Sequence, residues 1–468
     1  MNRLIALSVL VLAVLVVATF AYVSFNSGRV QTTNVSQSTT STTNPTSTTS
    51  SGQSCASDDW TTYHGSNSRS GDASSSASSA QTDWKSQGLD GDVYAEPLLC
   101  GVSLIVATEN DTIYSLNVTS GTVTWRTHLG TPMPGSALPC GDIDPSGITG
   151  TPVIDAATGV VYAVAFETPG VHELVALNLG DGTVKFSKLI DPPGANPLVE
   201  QERGALSLAN GRVYIPYGGL DGDCGEYHGW VVGINADGSG SLLSYEVQSQ
   251  REAGIWAPSG ASVDSSGDVY VATGNGASNS QFDYGDSVIE LSPTLVQLGY
   301  FAPTNWVQLN QGDTDLGSVG PLLLGNGDIF QIGKEGVGYL LNATSLGGIG
   351  GQLYSGQVCS SVFGGTATAG SMVFVPCTDG LFALSVSGGS FQTAWHSPGF
   401  SAGPPIITGS TVWTLDTSSG TLYGYAESTG GQLFSFNVGQ ATRFTTPSFG
   451  DGRVYLAAGS EVFAFLIG

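Results

Sequence analysis

Three of the four Asp-x-Asp pairs in the sequence are candidates for a site in which two carboxylates share one loop. These three pairs are Asp142/Asp144, Asp221/Asp223 and Asp313/Asp315. Carboxylate oxygens are the ligands that Ca²⁺ prefers, so each pair is a candidate calcium site. An aspartate in a loop also caps its own turn through its carboxylate, and this structural interpretation stays open for every pair.

Lys334 is a second candidate for chemistry, because it is one of only four lysines and lies in an apolar, glycine-flanked stretch. It could contact a ligand oxygen, or it could simply pair with the adjacent Glu335. Several familiar motifs are absent. Gly333-Lys334 lacks the spacing of a phosphate-binding P-loop, and His172-Glu173 lacks the second histidine of a zinc protease. The sequence therefore predicts neither of these two sites.

A recurring strand pattern must position these residues. Segments rich in β-branched and aromatic residues recur eight times, with successive spacings of 57, 52, 56, 60, 44, 39 and 42 residues. The copies begin at Leu104, Val161, Val213, Val269, Ile329, Val373, Val412 and Val454. Most copies continue into a second strand, a glycine turn and a third strand. The repeat predicts an all-β, eight-bladed β-propeller with four-stranded antiparallel blades.

The third strand of a copy ends on an aromatic residue, which we expect to pack between adjacent blades. These residues are Trp125, Phe186, Tyr245, Tyr300, Tyr354, Trp395 and Phe434. The last copy stops at Gly468 without such a strand. We therefore expect the segment from Trp60 to His64 to complete the last blade and close the ring.

The composition excludes several classes of protein. The 468 residues include 13 Lys and Arg against 38 Asp and Glu, a net charge of −25. Without a basic cluster the chain has nothing to neutralise phosphates, which excludes a nucleic-acid partner. With 40% hydrophobic and only 11% charged residues, it is also unlike an acidic disordered protein. A surface so poor in charge changes little when its carboxylates are protonated, which predicts an acidic external habitat.

The N-terminal residues predict export. Residues 4–25 form an apolar run broken only by Ser and Thr, long enough to cross a membrane as a signal anchor; a cleaved signal peptide is the alternative. A Ser/Thr-rich tract follows and predicts a disordered stalk. The predicted domains are a transmembrane helix over 1–27, a linker over 28–58 and the propeller over 59–468. We expect a single-pass protein of the cell membrane with an extracellular propeller.

The cysteines agree with export, because disulfides persist in oxidising compartments. Six cysteines allow fifteen pairings, and we predict Cys55–Cys100, Cys140–Cys224 and Cys359–Cys377. Four Asn-x-Ser/Thr sequons, at Asn34, Asn110, Asn117 and Asn342, are compatible with a glycoprotein.

Two stretches carry a resemblance to a known family. The repeat Asn110-Asp-Thr-Ile-Tyr-Ser-Leu-Asn, followed by Gly121-Thr-Val-Thr-Trp125, resembles the pyrroloquinoline-quinone (PQQ) repeat. The opening Asp59-Trp-Thr-Thr-Tyr-His-Gly, followed by Arg69-Ser-Gly71, is similar to the entry segment of such propellers. The resemblance covers residues 59–468 and implies the propeller fold. Family members include quinoprotein alcohol dehydrogenases, which residues 253–341 resemble most, and non-catalytic scaffolds such as an outer-membrane assembly lipoprotein.

The resemblance to the dehydrogenases implies a set of site residues. By position, Trp256 would stack on the quinone, and Asn275 in a Thr-Gly-Asn turn would ligate the metal. Asp315 would act as the catalytic base and as a second metal ligand, with Asp313 as a near alternative. Lys334 would contact the quinone oxygens. The implied cofactors are PQQ and calcium, which would supply the redox chemistry while the protein supplies placement.

Two functions follow from these observations. The dehydrogenases have two adjacent cysteines beneath the cofactor, and this chain has no Cys-Cys pair. The favoured prediction is therefore a membrane-anchored, extracellular binding or scaffold module, whose partner at the channel face is a small molecule or a surface protein. The alternative is a quinoprotein-type dehydrogenase that oxidises alcohols or sugars with PQQ and calcium at the central channel.

Overall fold

The computed structural model describes residues 55–73, 75 and 78–468, which form eight antiparallel sheets arranged as the blades of a propeller. The predicted membrane anchor and most of the predicted stalk lie outside these residues. Among the residues described, no helix combines the length and apolar character needed to cross a membrane. The all-β, eight-bladed architecture with four main strands in each blade is confirmed.

The first strand of each blade lies nearest the axis, where it contacts the first strand of a neighbouring blade. From the axis outward, the strands of blade 1 are Leu98–Cys100, Ser103–Thr108, Thr112–Asn117 and Val123–His128, and those of blade 2 are Val153–Asp155, Val160–Glu167, Val171–Asn178 and Val184–Leu189. The strands of blade 3 are Ser207–Ala209, Arg212–Gly219, Trp230–Asn235 and Leu243–Glu246, and those of blade 4 are Ser262–Val263, Val269–Ala272, Val288–Leu291 and Gln297–Ala302. The strands of blade 5 are Leu322–Leu323, Asp328–Gln331, Val337–Asn342 and Tyr354–Gln357, and those of blade 6 are Ala367–Ala369, Met372–Cys377, Gly380–Ser387 and Ser390–His396. The strands of blade 7 are Ile406–Thr408, Thr411–Asp416, Thr421–Ala426 and Gln432–Asn437, and those of blade 8 are Ser448–Gly450, Arg453–Ala458, Glu461–Ile467 and Ala80–Lys85.

Short elements complete the described residues. Extra strands Glu200–Gln201, Gly348–Ile349 and Asp72–Ala73 extend blades 3, 4 and 7. One α-helix covers Trp306–Gly312, and 3₁₀ turns cover Tyr63–Gly65, Gly135–Ala137 and Leu316–Ser318.

Each of the eight sequence copies supplies the second strand of a blade. In blades 1 and 7 every residue of this strand is buried, which explains its continuous β-branched and aromatic composition. Five of the recurring aromatic residues contact the next blade, namely Trp125, Phe186, Tyr245, Tyr354 and Trp395. Phe434 stacks on Trp413 of its own blade. Trp125 donates a hydrogen bond from Nε1 to the carbonyl of Leu179 in blade 2, at 2.9 Å. A Cβ on Gly182 would lie 2.4 Å from the Trp125 ring, so only glycine fits this turn.

The prediction for ring closure is wrong. The fourth strand of blade 8 is Ala80–Lys85, paired antiparallel with Glu461–Ile467, and not the segment from Trp60 to His64. Trp84 takes the place of the missing aromatic residue and donates from Nε1 to the carbonyl of Val118 in blade 1, at 2.9 Å. The polar residues of Ala80–Lys85 concealed this strand, because its outer position leaves most of them exposed.

Residues 60–71, named the axial segment here, instead run along the axis and bond to the blades around it. Their carbonyls accept hydrogen bonds from the innermost strands of blades 1, 2, 4, 5, 6 and 7, through the amides of Leu99, Ile154, Val263, Leu323, Thr368 and Ile407. The Arg69 guanidinium bonds to Leu206 and Ser207 of blade 3. The Tyr63 hydroxyl bonds to Thr446 beside blade 8, at 3.2 Å. All eight blades therefore contact one segment.

The charged groups buried at the axial segment have hydrogen-bond partners. Arg69 is 2% exposed and donates five hydrogen bonds, to Ala261, Thr62, Tyr63, Leu206 and Ser207. Glu96 accepts from the Trp60 indole at 2.8 Å and from the His64 amide at 2.9 Å. Burial lowers the pKa of His64 to about 3, which keeps this ring neutral.

The three predicted disulfides are confirmed. Cys55–Cys100 joins the start of the described chain to blade 1, and Cys359–Cys377 ties the entry of blade 6 to its second strand. Cys140–Cys224 joins the connection between blades 1 and 2 to a loop of blade 3.

Candidate functional site

The four residues implied by the resemblance lie together although they span 79 positions of the chain. Trp256 precedes the innermost strand of blade 4, and Asn275 follows the second strand of that blade. Asp315 precedes the turn Leu316–Ser318, and Lys334 follows the second strand of blade 5. Asp315 accepts from the Asn275 amide at 2.8 Å and from Lys334 Nζ at 2.7 Å. Lys334 Nζ lies 5.5 Å from the centre of the Trp256 ring.

The turn after blade 4's second strand creates this proximity. Gly274 allows it, because a Cβ there would lie 3.0 Å from Trp256 Nε1 and 3.1 Å from Asp315 Oδ1. The turn also directs the Asn275 backbone amide to Asp315, while the Asn275 side-chain amide faces Glu252 at 3.4 Å. The polar contact of Asn275 with Asp315 is therefore made by its backbone.

Asp315 and Lys334 form a largely buried ion pair. The Asp315 side chain is 5% exposed, and burial raises its pKa, although Lys334 opposes the rise. Burial by itself lowers the pKa of Lys334, but Asp315 and Asp313 raise it above the usual value. Asp313 Oδ1 is 2.9 Å from the same ammonium group. Lys334 is thus held charged between two carboxylates.

Asp286, which was not assigned a role from the sequence, lies beneath the same turn. It is fully buried, and its Oδ1 accepts from the Leu316 amide at 2.9 Å, while Oδ2 has no partner. Burial raises its pKa well above the usual range, and the nearby Asp315 raises it further. The motif Tyr284-Gly-Asp286 was visible, but nothing in it indicated burial.

A cavity of about 300 Å³, named the axial cavity here, opens beside the ion pair. Four aromatic residues line it, namely Tyr227 and a group of three, Trp256, Phe363 and Phe444, whose ring centres are 6.3 to 6.5 Å apart. Phe363 and Phe444 each stand four residues before the innermost strand of a blade. That position is the one signal by which the sequence could have pointed to them.

Two arginines line the cavity, and neither guanidinium group hydrogen-bonds to another residue in the described part of the chain. The Arg203 side chain is 10% exposed, and its Nε has no partner. Its nearest carboxylate, Asp142, is 3.9 Å away. Arg443 lies 3.8 Å from Asp142 and 4.0 Å from Asp221. These separations exceed hydrogen-bonding distance, so the guanidinium donors are available to a ligand.

Some members of the three Asp-x-Asp pairs line the cavity, where they could contact a ligand, and another caps a turn. Asp221, Asp223, Asp313 and Asp315 line the axial cavity, and Asp142 lies beside it. Asp144 instead accepts from the Gly135 amide at 2.8 Å and serves a turn.

At the axial cavity, the described residues do not bring three His, Cys, Asp or Glu ligand atoms close together. Over the described part of the chain, the two groups of three close His, Cys, Asp or Glu ligand atoms both consist of a disulfide with one aspartate. Neither lies at the cavity. Lys334 Nζ also occupies one side of Asp315, where it would repel a divalent cation.

Comparison with family models finds a similarity over slightly less than half of the chain. Residues 65–290 match the PQQ_2 family, described as outer membrane protein assembly factor BamB. Comparison with curated protein sequences gave no match.

Solved structures of both kinds are similar to this chain. Quinohemoprotein alcohol dehydrogenase ADHIIG from Pseudomonas putida HK5 is 14% identical, with a TM-score of 0.69 over 88% of this chain and 80% of that one. A europium-containing methanol dehydrogenase is 13% identical, with a TM-score of 0.67 over 87% and 98%. BamB from Moraxella catarrhalis is 13% identical, with a TM-score of 0.58 over 83% and 100%. At these identities the likeness shows the fold alone.

Proposed function

Because this chain is an eight-bladed propeller built of PQQ-type repeats, we propose that it is a non-catalytic binding module with its ligand site in the axial cavity. We further propose that it is exported and anchored in the cell membrane through residues 4–25. Three disulfides support export, and the apolar N-terminal run supports the anchor.

One observation carries the choice of binding over catalysis. The groups that a dehydrogenase would use, Asp315 and Lys334, are already bonded to each other at 2.7 Å. The groups without hydrogen bonds are Arg203 and Arg443, which suit recognition of a ligand. A proton acceptor must reach the substrate, whereas Asp315 is 4% exposed and held by two donors.

The lining indicates the kind of ligand. The aromatic rings of Trp256, Phe363 and Phe444 offer an apolar face. Arginine donors and aspartate acceptors stand side by side at the rim. A ligand with a net charge would meet like charges there. A small neutral molecule with several hydroxyl groups and one apolar face, such as a sugar, satisfies both kinds of group.

The dehydrogenase remains the second candidate, because Trp256, Asn275, Asp315 and Lys334 do converge at one cavity. Purified protein titrated with PQQ and Ca²⁺ separates the two functions. We expect no shift of the quinone absorbance and no reduction of an artificial dye with alcohols or sugars. Dye reduction that Asp315→Asn abolishes would replace our proposal with the dehydrogenase.

Binding itself is tested by calorimetry with glucose, galactose and maltose as probes. Removal of Arg203 should weaken binding by about 10- to 100-fold, since a hydrogen bond from a charged donor contributes about 1.5–3 kcal/mol. The matched control is Arg126→Ala, an exposed arginine of blade 1, which should leave the affinity unchanged. No heat with any of the three sugars would contradict the assignment to sugars.

A further inference from the structure

A group of buried carboxyl groups lies between blades 1 and 3, away from the Asp315–Lys334 pair. Asp111, Glu109 and Glu202 are 0%, 2% and 4% exposed, and are named the carboxyl row here. Asp111 and Glu109 come from the turn between the second and third strands of blade 1. Glu202 comes from the chain that enters blade 3. Residues 147–150 contact all three, because the Gly147 amide donates to Glu109, a Cβ on Gly147 would lie 2.8 Å from Asp111 Oδ1, and a Cβ on Gly150 would lie 2.4 Å from Glu202 Oε2. Asp111 and Glu202 each interact electrostatically with Glu109.

The row has few hydrogen-bond donors. Glu109 Oε2 accepts from the Gly147 amide at 2.7 Å and from the Thr149 hydroxyl at 3.1 Å, but Oε1 has no partner. Neither oxygen of Asp111 has a partner that meets both distance and angle criteria for a hydrogen bond, although the Phe166 amide is close enough to lower its pKa. Glu202 Oε1 has no partner either, and the Gly150 amide lowers the pKa of Glu202. The backbone at Gly147 and Gly150 also encloses the row.

Counter-charge is equally scarce around the row. The ionisable groups that interact electrostatically with members of the row, or with the adjoining Glu167, are Asp92, Tyr94, His128, Glu173, Tyr217 and Arg203. Arg203 is the one permanent cation in this set, and it also faces Asp142 and Asp221. Ionising all three carboxyl groups would leave at least two buried negative charges uncompensated, which is strongly unfavourable.

We propose that the carboxyl row binds protons in the folded protein, so that the propeller is most stable in acid and loses stability as the pH rises through neutrality. A protonated carboxyl group is uncharged and gains one donor, so it suits a buried site that lacks partners. Folding and proton binding are then linked at these three residues.

The direction of the linkage follows from the pKa values. Burial raises the pKa of Glu109 to about 7 and that of Asp111 to about 9, and it raises the pKa of Glu202 well above its usual range. In the unfolded chain these groups lose their protons near pH 4. The folded state therefore binds more protons above pH 4. The stability is fully present below about pH 4 and is lost as the pH rises through 7 and then 9.

Aspartates in surface turns have the opposite effect on the pH dependence of stability. Hydrogen bonds from Thr183 lower the pKa of Asp181, and those from Ser239 lower the pKa of Asp237. Their contribution is lost only as the pH falls below about 4. We therefore expect maximum stability near pH 4 to 5.

The test is urea unfolding of the full chain from pH 4 to pH 9. The unfolding constant should rise by at least about tenfold between pH 5 and pH 7, since each proton bound only by the folded state contributes up to tenfold per pH unit. The double variant Glu109→Gln/Asp111→Asn should make this profile less steep, while Asp286, whose pKa burial also raises, keeps its own contribution. The matched control Glu226→Gln/Asp58→Asn changes two exposed residues and should keep the wild-type profile.

Two results would overturn the proposal. One is a wild-type stability that stays constant or increases from pH 5 to pH 8. The other is a loss of stability at pH 7 that 10 mM CaCl₂ reverses in the wild type, which would make the row a cation site. If the double variant does not fold, potentiometric titration of native and urea-unfolded wild-type protein decides. The native protein should hold one to three more protons at pH 6, and equal proton content would contradict the proposal.

Discussion

Two buried arginines of this propeller have opposite surroundings. Arg69 in the axial segment donates all five of its N–H groups to protein oxygens. Arg203 at the axial cavity makes no hydrogen bond, and its nearest carboxylate is 3.9 Å away. Both side chains are at least nine-tenths buried. A buried charge with all its partners belongs to the structure of the fold, whereas one without partners is available to a ligand.

The largest effect is expected at Arg69. Arg69→Met removes five hydrogen bonds, among them those that join the axial segment to blades 3 and 4. The Ala261 carbonyl keeps the Ser207 hydroxyl as a donor, whereas the other buried acceptors lose their guanidinium donor. We expect a loss of about 4 kcal/mol in the free energy of unfolding, because breaking a buried charged network leaves its partners desolvated. Urea unfolding at pH 5 measures this loss. A loss below that of Arg203→Met would refute the distinction between the two arginines.

An intermediate effect is expected at Lys334, which has charged partners but is partly accessible. Lys334→Met leaves Asp315 buried without its cation, so the pKa of Asp315 should rise further and the protein should lose about 2 kcal/mol at pH 7. The loss should shrink at pH 4, where a protonated Asp315 no longer needs a cation. Unfolding of the variant and wild type at both pH values checks this, and an equal loss at both would show that the charge pair is not responsible.

The smallest effect on stability is expected at Arg203. Arg203→Met removes no hydrogen bond, so the free energy of unfolding at pH 5 should change by less than about 1 kcal/mol. The same variant should lose sugar binding, if the axial cavity is the ligand site. Measurements of stability and of sugar affinity on one preparation of the variant test both expectations. A strongly destabilised variant would show that Arg203, like Arg69, stabilises the fold.

The propeller itself could be predicted from the sequence, because each blade repeats one local pattern. The eight copies from Leu104 to Val454 all fall in second strands, where burial demands a continuous apolar run. The strand Ala80–Lys85 was missed for the converse reason. It lies on the outside of a blade, and its exposed Gln and Thr side chains resemble a loop. The axial segment was misplaced because its aromatic residues resemble those of a blade.

The candidate site was only half predictable. Trp256, Asn275, Asp315 and Lys334 were implied by a resemblance in which order along the chain carries the information, and they do lie together. Arg203, Phe363 and the adjacent residues Arg443 and Phe444 come from three different loops. They meet at the axial cavity only because different blades deliver them there. A contact between residues from different blades cannot be predicted from the sequence pattern of any one blade.

The sequence by itself determined the eight blades, since strand periodicity is a local property. The disulfide pairs were one prediction among fifteen possible sets, and two of them join cysteines 45 and 84 residues apart, so the structure was needed to confirm them. The tertiary structure alone decided the environment of each charge. Asp111 and Asp181 are the same residue in similar hairpin turns, yet one has its pKa raised to about 9 by burial and the other has its pKa lowered by hydrogen bonds from Thr183. Burial and partners arise when distant blades close around the axis, and they decide which side chains stay charged, which bind protons and which are available to a ligand.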